Sequence, residues 1–262
     1  MFEYYFSDAS SIAHDYHYHD YHEIFFLLSG ENKSFFIEDK TYHVKENDIV
    51  FIKKDLLHKS NYLSQGYTRI IVHFSDEFIG DDIATEMETL FADRIHTSEN
   101  PEVTKAFLQN IGSEKAKKDA FAKNLMKLHF INFLAHCVRN KPAHRTDSPI
   151  TNPAIERLVK YINSNYHSKI SLQQAAKMLK MSEGHLSRLF TANTGFCFRE
   201  YVAIIRIKNA KQLLRDTKKP IQHIAAECGF NDSNYFSKMF KDMEGISPRE
   251  YRLTLMPIPP QT

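Results

Sequence analysis

The sequence predicts an α+β protein of two domains: an N-terminal β-barrel with a helical extension, and a C-terminal all-α domain made from one helical unit used twice. Three observations carry that expectation. Residues 1 to 79 hold aromatic and β-branched runs at hairpin distances, apolar residues recur at helical spacing from Asp81 onward, and a sixteen-residue stretch returns fifty residues later. With 262 residues, 42% of them hydrophobic, the chain has enough material for two ordinary cores.

In the first part, Glu23 to Leu28, Ser34 to Glu38, Asp48 to Ile52 and Thr68 to Phe74 read as strands, divided by charged, Gly and Asn residues. Short strands so closely spaced suggest a sandwich or barrel, assigned to residues 1–80. The opening Met-Phe-Glu-Tyr-Tyr-Phe reads either as an arm that folds over a ligand or as an aromatic first strand packed in the sheet. Residues 81–140 form the helical extension. Ile83, Met87, Leu90 and Phe91 share one helix, Val103, Phe107 and Ile111 the next. A longer helix is expected from about Asp119 to Arg139, its stripe of Phe121, Leu125, Leu128, Ile131, Phe133, Leu134 and Val138 serving as core or dimer seam. The prolines and polar residues of Asn140 to Pro149 mark a linker, taken as residues 141–150. The C-terminal domain is 151–262, opening on Asn152-Pro153, an N-cap followed by a first-position proline.

The repeat lies in that domain. Leu-Ser-Arg-Leu-Phe-Thr-Ala-Asn-Thr-Gly-Phe-Cys-Phe-Arg-Glu-Tyr at 186 to 201 returns as Phe-Ser-Lys-Met-Phe-Lys-Asp-Met-Glu-Gly-Ile-Ser-Pro-Arg-Glu-Tyr at 236 to 251. Ahead of the first copy, Ser171 caps a helix holding Ala175, Ala176 and Leu179, Lys180-Met181 turns, and Ser182 caps a second helix. Ahead of the second, Pro220 opens a helix holding Ile224, Ala225 and Cys228, Gly229-Phe230 turns, and a helix spans about Ser233 to Met243. Small alanines let two helices cross closely, and glycine supplies the positive φ a short turn often needs. The plan is helix-turn-helix, twice, with Arg199 to Leu214 as a helical spacer of about 24 Å between them.

Charge divides with the domains. Residues 1 to 149 carry 17 Lys and Arg against 23 Asp and Glu, a net −6, whereas residues 150 to 262 carry 17 against 9, a net +8. Only the second half is electrostatically prepared for a polyanion. Cys137, Cys197 and Cys228 lack metal-type or redox-type spacing. No apolar run reaches the roughly 18 to 20 residues of a bilayer span, and no secretory layout opens the chain, so a cytoplasmic location without membrane association is expected. No Ser-His-Asp set or phosphate-cradling glycine loop is present, which argues against the enzyme classes built on them.

Residues 150 to 253 resemble the AraC family of bacterial transcription regulators nearly end to end. The motifs that carry the resemblance are Ile-Ala-Ala-Glu-Cys-Gly-Phe-Asn-Asp-Ser-Asn-Tyr-Phe-Ser-Lys-Met-Phe-Lys and Gly-Ile-Ser-Pro-Arg-Glu-Tyr-Arg. The resemblance implies a seven-helix domain that places two recognition helices in successive major-groove segments of double-stranded DNA. Carried over by position, Glu183, Gly184, Ser187 and Arg188 face the bases in the first helix, and Ser233, Asn234, Ser237 and Lys238 in the second. Arg188 suits guanine O6 and N7, and Asn234 suits adenine N6 and N7. Gly184 departs from the larger residue usual in the family at this position, so fewer bases are expected to be read there.

His17-Tyr-His19-Asp-Tyr-His22-Glu23, then Gly30 and later His58, resembles the paired motifs of cupin barrels, which makes the expected N-terminal fold cupin-like. Strand alternation places His17, His19, Glu23, Phe25 and Leu27 on one face and His22 and Ile24 on the other. Ser11 stands where a glycine is expected before the first motif, and Asn47, Lys53 and Asp55 replace Gly, Pro and Gly of the second. Effector-binding candidates are His17, His19, Glu23, Phe25, His58 and His73. No cofactor and no resident metal is expected; were a metal bound, its ligands would be His17, His19, Glu23 and His58.

Together these resemblances imply a regulator, an activator of transcription, that senses a small polar metabolite such as a sugar, forms a homodimer and engages RNA polymerase. Two other readings stand beside it: a metal-binding cupin, enzyme or sensor, tethered to a DNA-binding domain, and a constitutive DNA-binding protein whose barrel only dimerises.

Overall fold

A computed structural model of the chain describes residues 1–8, 19–30, 33–62, 67–117, 119–140 and 150–255. His17, most of the expected linker and the last seven residues lie outside them. The chain divides into two compact units, Met1–Thr151 and Asn152–Thr262.

The first unit opens with β1 (Phe2–Asp8), β2 (His22–Ser29), β3 (Lys33–Ile37), β4 (Lys40–Val44), β5 (Asp48–Ile52), β6 (His58–Tyr62) and β7 (Thr68–Phe74). Helices α1 (Asp76–Ile79) and α2 (Asp81–Asp93), strand β8 (Ile95–Thr97), and helices α3 (Pro101–Lys115) and α4 (Ala122–Arg139) complete it. The strands form two sheets, a larger one in the order β1-β7-β2-β5-β8 and a smaller one in the order β4-β3-β6. All their pairings are antiparallel.

Alternation along the central strands sorts side chains between two cores. Ile24, Phe26, Phe51, Val72 and Phe74 face the helices and pack with Met87, Leu90, Leu108, Ile111, Phe130 and Phe133. Phe25, Leu27, Val50 and Ile52 face the other way and meet Phe35, Ile37, Tyr42 and Val44 of the small sheet. The larger sheet is thus covered on both faces, and this explains why β2 reads as an almost unbroken apolar run. Each large side chain so buried contributes about 1.5–3 kcal/mol relative to exposure.

Between the two readings of the opening segment, the structure takes the strand: β1 pairs with β7 from Phe2↔Phe74 to Asp8↔Thr68, and Tyr4 is buried in the helical-side core. Strand β8 lies inside the stretch expected to be helical. Arg94, in the left-handed region at φ 63°, ends α2 and turns the chain back so that Ile95 and His96 are buried beside β5. The Arg94 guanidinium holds this turn by donating to Ile37 O at 2.9 Å and Glu38 Oε2 at 2.6 Å.

Helix α4 starts at Ala122, because the Asp119 carboxylate accepts from the Phe121 and Ala122 amides at 2.8 and 2.9 Å and closes a turn before it. The expected stripe splits. Phe133 and Leu134 are core, together with Phe130 and Cys137, while Phe121 and Leu128 point outward at 71% and 56% exposure.

The described residues of the second unit form seven helices: α5 (Pro153–Asn165), α6 (Leu172–Leu179), α7 (Glu183–Thr194), α8 (Phe198–Asp216), α9 (Ile221–Glu227), α10 (Ser233–Glu244) and α11 (Pro248–Thr254). The caps read from sequence are in place: Asn152 accepts from Ala154 N, Ser171 from Gln174 N and Ser182 from His185 N. Helix α8 runs 19 residues, about 28 Å at 1.5 Å per residue, longer than the spacer expected. Both helical units pack on it. Its early residue Tyr201 meets the rings of Phe190 and Phe196, and its later residues Ile207, Ala210 and Leu214 share a core with Ile224, Ala225, Phe236 and Phe240.

Candidate functional site

The two helix-turn-helix copies have the same local build. At the end of α6, Met181 N donates to Ala176 O at 2.9 Å around Lys180, whose φ is +54°. At the end of α9, Phe230 N donates to Ala225 O at 2.9 Å around Gly229, whose φ is +83°. Both are the left-handed closure that satisfies a helix's last carbonyls, so both turns deliver the next helix in the same way.

In those next helices, α7 and α10, exposure follows one pattern. Leu186 and Phe190 are fully buried, as are Phe236 and Phe240; Leu189 and Met239 are half-buried at the edge of the core. Glu183, Gly184, Arg188, Asn234 and Lys238 are exposed, and Ser187, Ser233 and Ser237 are half-exposed. Each set of four therefore lies on the face its helix turns away from the core. Hydroxyl chemistry differs within the second set, since Ser237 Oγ donates back to Ser233 O at 2.8 Å. The amino end of α10 is capped by Asp232, which accepts from the Asn234 and Tyr235 amides. Gly184 is open: a Cβ there would meet only the Arg188 guanidinium, at 3.9 Å. A side chain at 184 would therefore be in ordinary contact with the end of Arg188.

A second constellation lies between the two sheets of the first unit. Glu23 in β2 is paired in register with His73 in β7, which in turn faces Glu3 of β1. Around the Glu23 carboxylate, His73 Nε2 stands at 3.1 Å, His19 Nε2 at 3.4 Å and His58 Nε2 at 3.8 Å, all measured to Oε2. His19 reaches in from the segment before β2 and His58 from the first residue of β6 in the small sheet. Glu23, His19 and His58 are all buried. Burial alone raises the Glu23 pKa, but contact with three imidazoles outweighs it and holds the carboxyl well below the usual range. Tyr21 lies flat on His19, with ring centroids 3.8 Å apart, and burial next to Glu23 pushes its hydroxyl up to about 12. Phe25, next on the same face, belongs to the inter-sheet core.

Of the histidines read from sequence, His19, His58 and His73 are therefore brought together on Glu23, and His17 is outside the described residues. His22 points to the opposite face, as period two requires. There its Nε2 meets Asp76 Oδ1 at 2.7 Å, and Lys54 pairs with the same carboxylate. Desolvation lowers the His22 pKa against the opposing pull of Asp76. This network lines a separate cavity of about 450 Å³ that includes Lys53, Ile79, Glu88 and Phe91. Sequence reasoning did not find Glu3, Tyr5 or Tyr21 beside the histidines. Registering β1 and β7 against β2 would have, because Glu3, His73 and Glu23 are one cross-strand row.

Comparison with known proteins adds to this geometry. A model described as the AraC-like ligand binding domain matches residues 1–126, and one described as a helix-turn-helix domain matches residues 175–254. The Msm operon regulatory protein of Streptococcus mutans is 26% identical over 237 residues, covering 89% of this chain and 84% of that protein. The HTH-type transcriptional activator RhaR of Enterobacter sp. is 24% identical over 247 residues, covering 90% and 86%. The lactose operon transcription activator of Staphylococcus xylosus is 38% identical over 103 residues, covering 39% and 37%.

Proposed function

The chain belongs to the AraC family of DNA-binding transcription regulators, and from that premise we propose that it activates transcription in response to a small polar metabolite, such as a sugar. The observation that carries the reading is the matched pair α7 and α10: the same buried residues hold each helix, while the exposed faces differ between copies. Residues 151–262 bind DNA. Arg188 and Asn234 read bases, Glu183, Gly184, Ser187, Ser233 and Ser237 line the approach, and Lys238 meets guanine or phosphate. The net +8 of residues 150–262 supplies the attraction to phosphate.

The effector sits at the inter-sheet cluster of residues 1–80, where His19, Glu23, His58 and His73 offer polar partners above Phe25. A relative named for the lactose operon, matched over 39% of this chain, is what suggests a sugar as the ligand class. Ligand binding favours one arrangement of the protein over another and so changes its grip on DNA. RNA polymerase is the onward partner, and no catalytic step belongs to the reading.

A homodimer forms through residues 81–140. Between α2 and α4 runs a groove of about 410 Å³ floored by Ile83, Met87, Ile131, Leu134 and Val138, with Asp82 and Glu86 on one rim and Arg139 on the other. Opposite charges on its two rims suit a twofold contact in which each copy's Arg139 meets the other's acids. Among the described residues no helix is long and apolar enough to cross a membrane.

The test is a salt titration of the full chain on a duplex. Log affinity should fall linearly with log salt, by about 0.9 for each phosphate neutralised. A parallel melting experiment with a panel of sugars should find one that raises the melting temperature with concentration. Affinity indifferent to salt contradicts the DNA-binding part, and a panel of sugars without effect contradicts the proposed ligand class.

A further inference from the structure

Among the described residues of the second unit, α5, α7, α8 and α11 each carry a glutamate in the first turn, and three of these have a task within the fold. Glu200 Oε2 accepts from the Cys197 amide at 3.2 Å, Glu250 Oε2 from the Ser247 amide at 2.7 Å, and Glu156 Oε1 from Lys160 Nζ at 2.6 Å. Glu183 differs. It stands exposed at the first position of α7, and among the described residues it makes no hydrogen bond or ion pair, not even with Arg188 of the same helix.

An acid near the amino end of a helix is favoured by the helix dipole, but this end of α7 is also the part that recognition carries into the groove. Duplex DNA brings about one negative charge for each 1.7 Å of its axis. A carboxylate pressed against it loses water and meets like charge, which is costly unless a donor answers it. The scaffold does not ask for the acid, since the same position of the second copy is Ser233.

The base edges of the major groove narrow the donor to one. Guanine offers O6 and N7, both acceptors, and thymine offers O4 and a methyl group. Adenine sets the N7 acceptor beside its N6 donor, whereas cytosine presents its N4 amino group alone. Access is open, because Gly184 next to Glu183 has no side chain and a Cβ there would meet only Arg188 Nη1, at 3.9 Å. Glu183 precedes Arg188 by five residues, about 7.5 Å of helix, or roughly two base-pair steps of about 3.4 Å.

We infer that Glu183 reads a cytosine through its N4 amino group, within about three base pairs of the guanine read by Arg188. This role presupposes DNA binding by residues 151–262 and gives α7 a base for which α10 carries no matching acid. It also sets Glu183 apart from a phosphate-binding lysine, which raises affinity on every sequence. Glu183 lowers affinity for DNA in general and recovers it at one base.

The experiment selects duplexes from a random-sequence pool with the full-length protein, then with Glu183→Gln, Glu183→Ala and Arg188→Ala, the last marking the base pair that Arg188 reads. Equilibrium binding to duplexes carrying each of the four bases at the selected cytosine should show a preference of about fivefold or more, the lower end for one good side-chain contact to a base. Glu183→Gln should move that preference to adenine, whose N6 and N7 suit an amide. Glu183→Ala should erase it and bind random duplex more tightly than the parent, the repulsion being gone. Thermal melting confirms that the variants are folded. A parent site in which no cytosine loses its preference in Glu183→Ala overturns the assignment and leaves DNA binding standing. So does uniformly tighter binding by Glu183→Ala with the order of bases unchanged, which makes Glu183 a helix-dipole acid alone. A dependent cytosine far from the base pair that Arg188→Ala relaxes overturns its placement. A parent that selects no sequence removes the DNA-binding reading and this role with it.

Discussion

Replacing Gly229 by alanine is expected to destabilise the second unit by about 3 kcal/mol or more, enough to abolish its DNA binding near physiological temperature. Two costs add. At φ +83° any side chain meets its own backbone, about 1–2 kcal/mol for an L residue in the left-handed region. The new Cβ would also stand 2.6 Å from Tyr166 O and 2.9 Å from His167 O, both backbone atoms. Those carbonyls cannot withdraw easily. Arg206 holds that segment by donating from Nε to Tyr166 O at 2.9 Å and from Nη2 to Ser168 O at 2.8 Å, with its guanidinium over the Phe230 ring. Lys180 is the control, since it takes the matching place in the first copy at φ +54°. Lys180→Gly should therefore stabilise by up to ~1 kcal/mol, the strain released. Urea unfolding of the two variants checks both signs, and a Gly229→Ala protein as stable as its parent contradicts the close approach.

Arg188→Ala should leave the melting temperature unchanged and weaken binding to the preferred DNA site by about 1–3 kcal/mol, roughly 5- to 150-fold. Stability is spared because Arg188 is exposed. Specificity falls at one base pair, where guanine loses its bidentate partner. Lys238→Ala serves as the contrast. If Lys238 meets phosphate, its loss lowers affinity on all sequences alike and makes the salt slope shallower by about one unit. Equilibrium binding to matched and single-mismatch duplexes distinguishes the two, and an Arg188→Ala protein with undiminished discrimination contradicts the assignment.

Local signals in the sequence proved legible wherever a single segment carries its own reason. Ser182 announces α7 because its hydroxyl serves an amide three residues on, and Asp48 to Ile52 announces β5 because five apolar-rich residues between charged ones have few other uses. The fifty-residue repeat specified which residues of α7 and α10 are scaffold, since burial selects the same positions twice.

What escaped depends on residues distant in sequence. Three residues are too few for a period-two pattern, so β8 became visible only once Ile95 had β5 to pair with. The stripe of α4 was drawn too wide because composition does not say which side of a helix the sheet will cover; Phe121 and Leu128 are apolar and outside it. His19, Glu23, His58 and His73 were all candidates from sequence, but only His19 and Glu23 share a motif, and what places His73 beside them is the pairing of β2 with β7, a contact fifty residues long in sequence.

The most direct test is to let the full-length protein select duplexes from a random-sequence pool at physiological salt. Two recognition helices with unlike faces on one spacer predict an asymmetric site, two different half-sites about one helical turn apart. Repeating the selection with Arg188→Ala should relax one base pair of one half-site and keep the other half-site unchanged. A pool that remains random after repeated rounds, or an Arg188→Ala selection that returns both half-sites intact, contradicts that prediction.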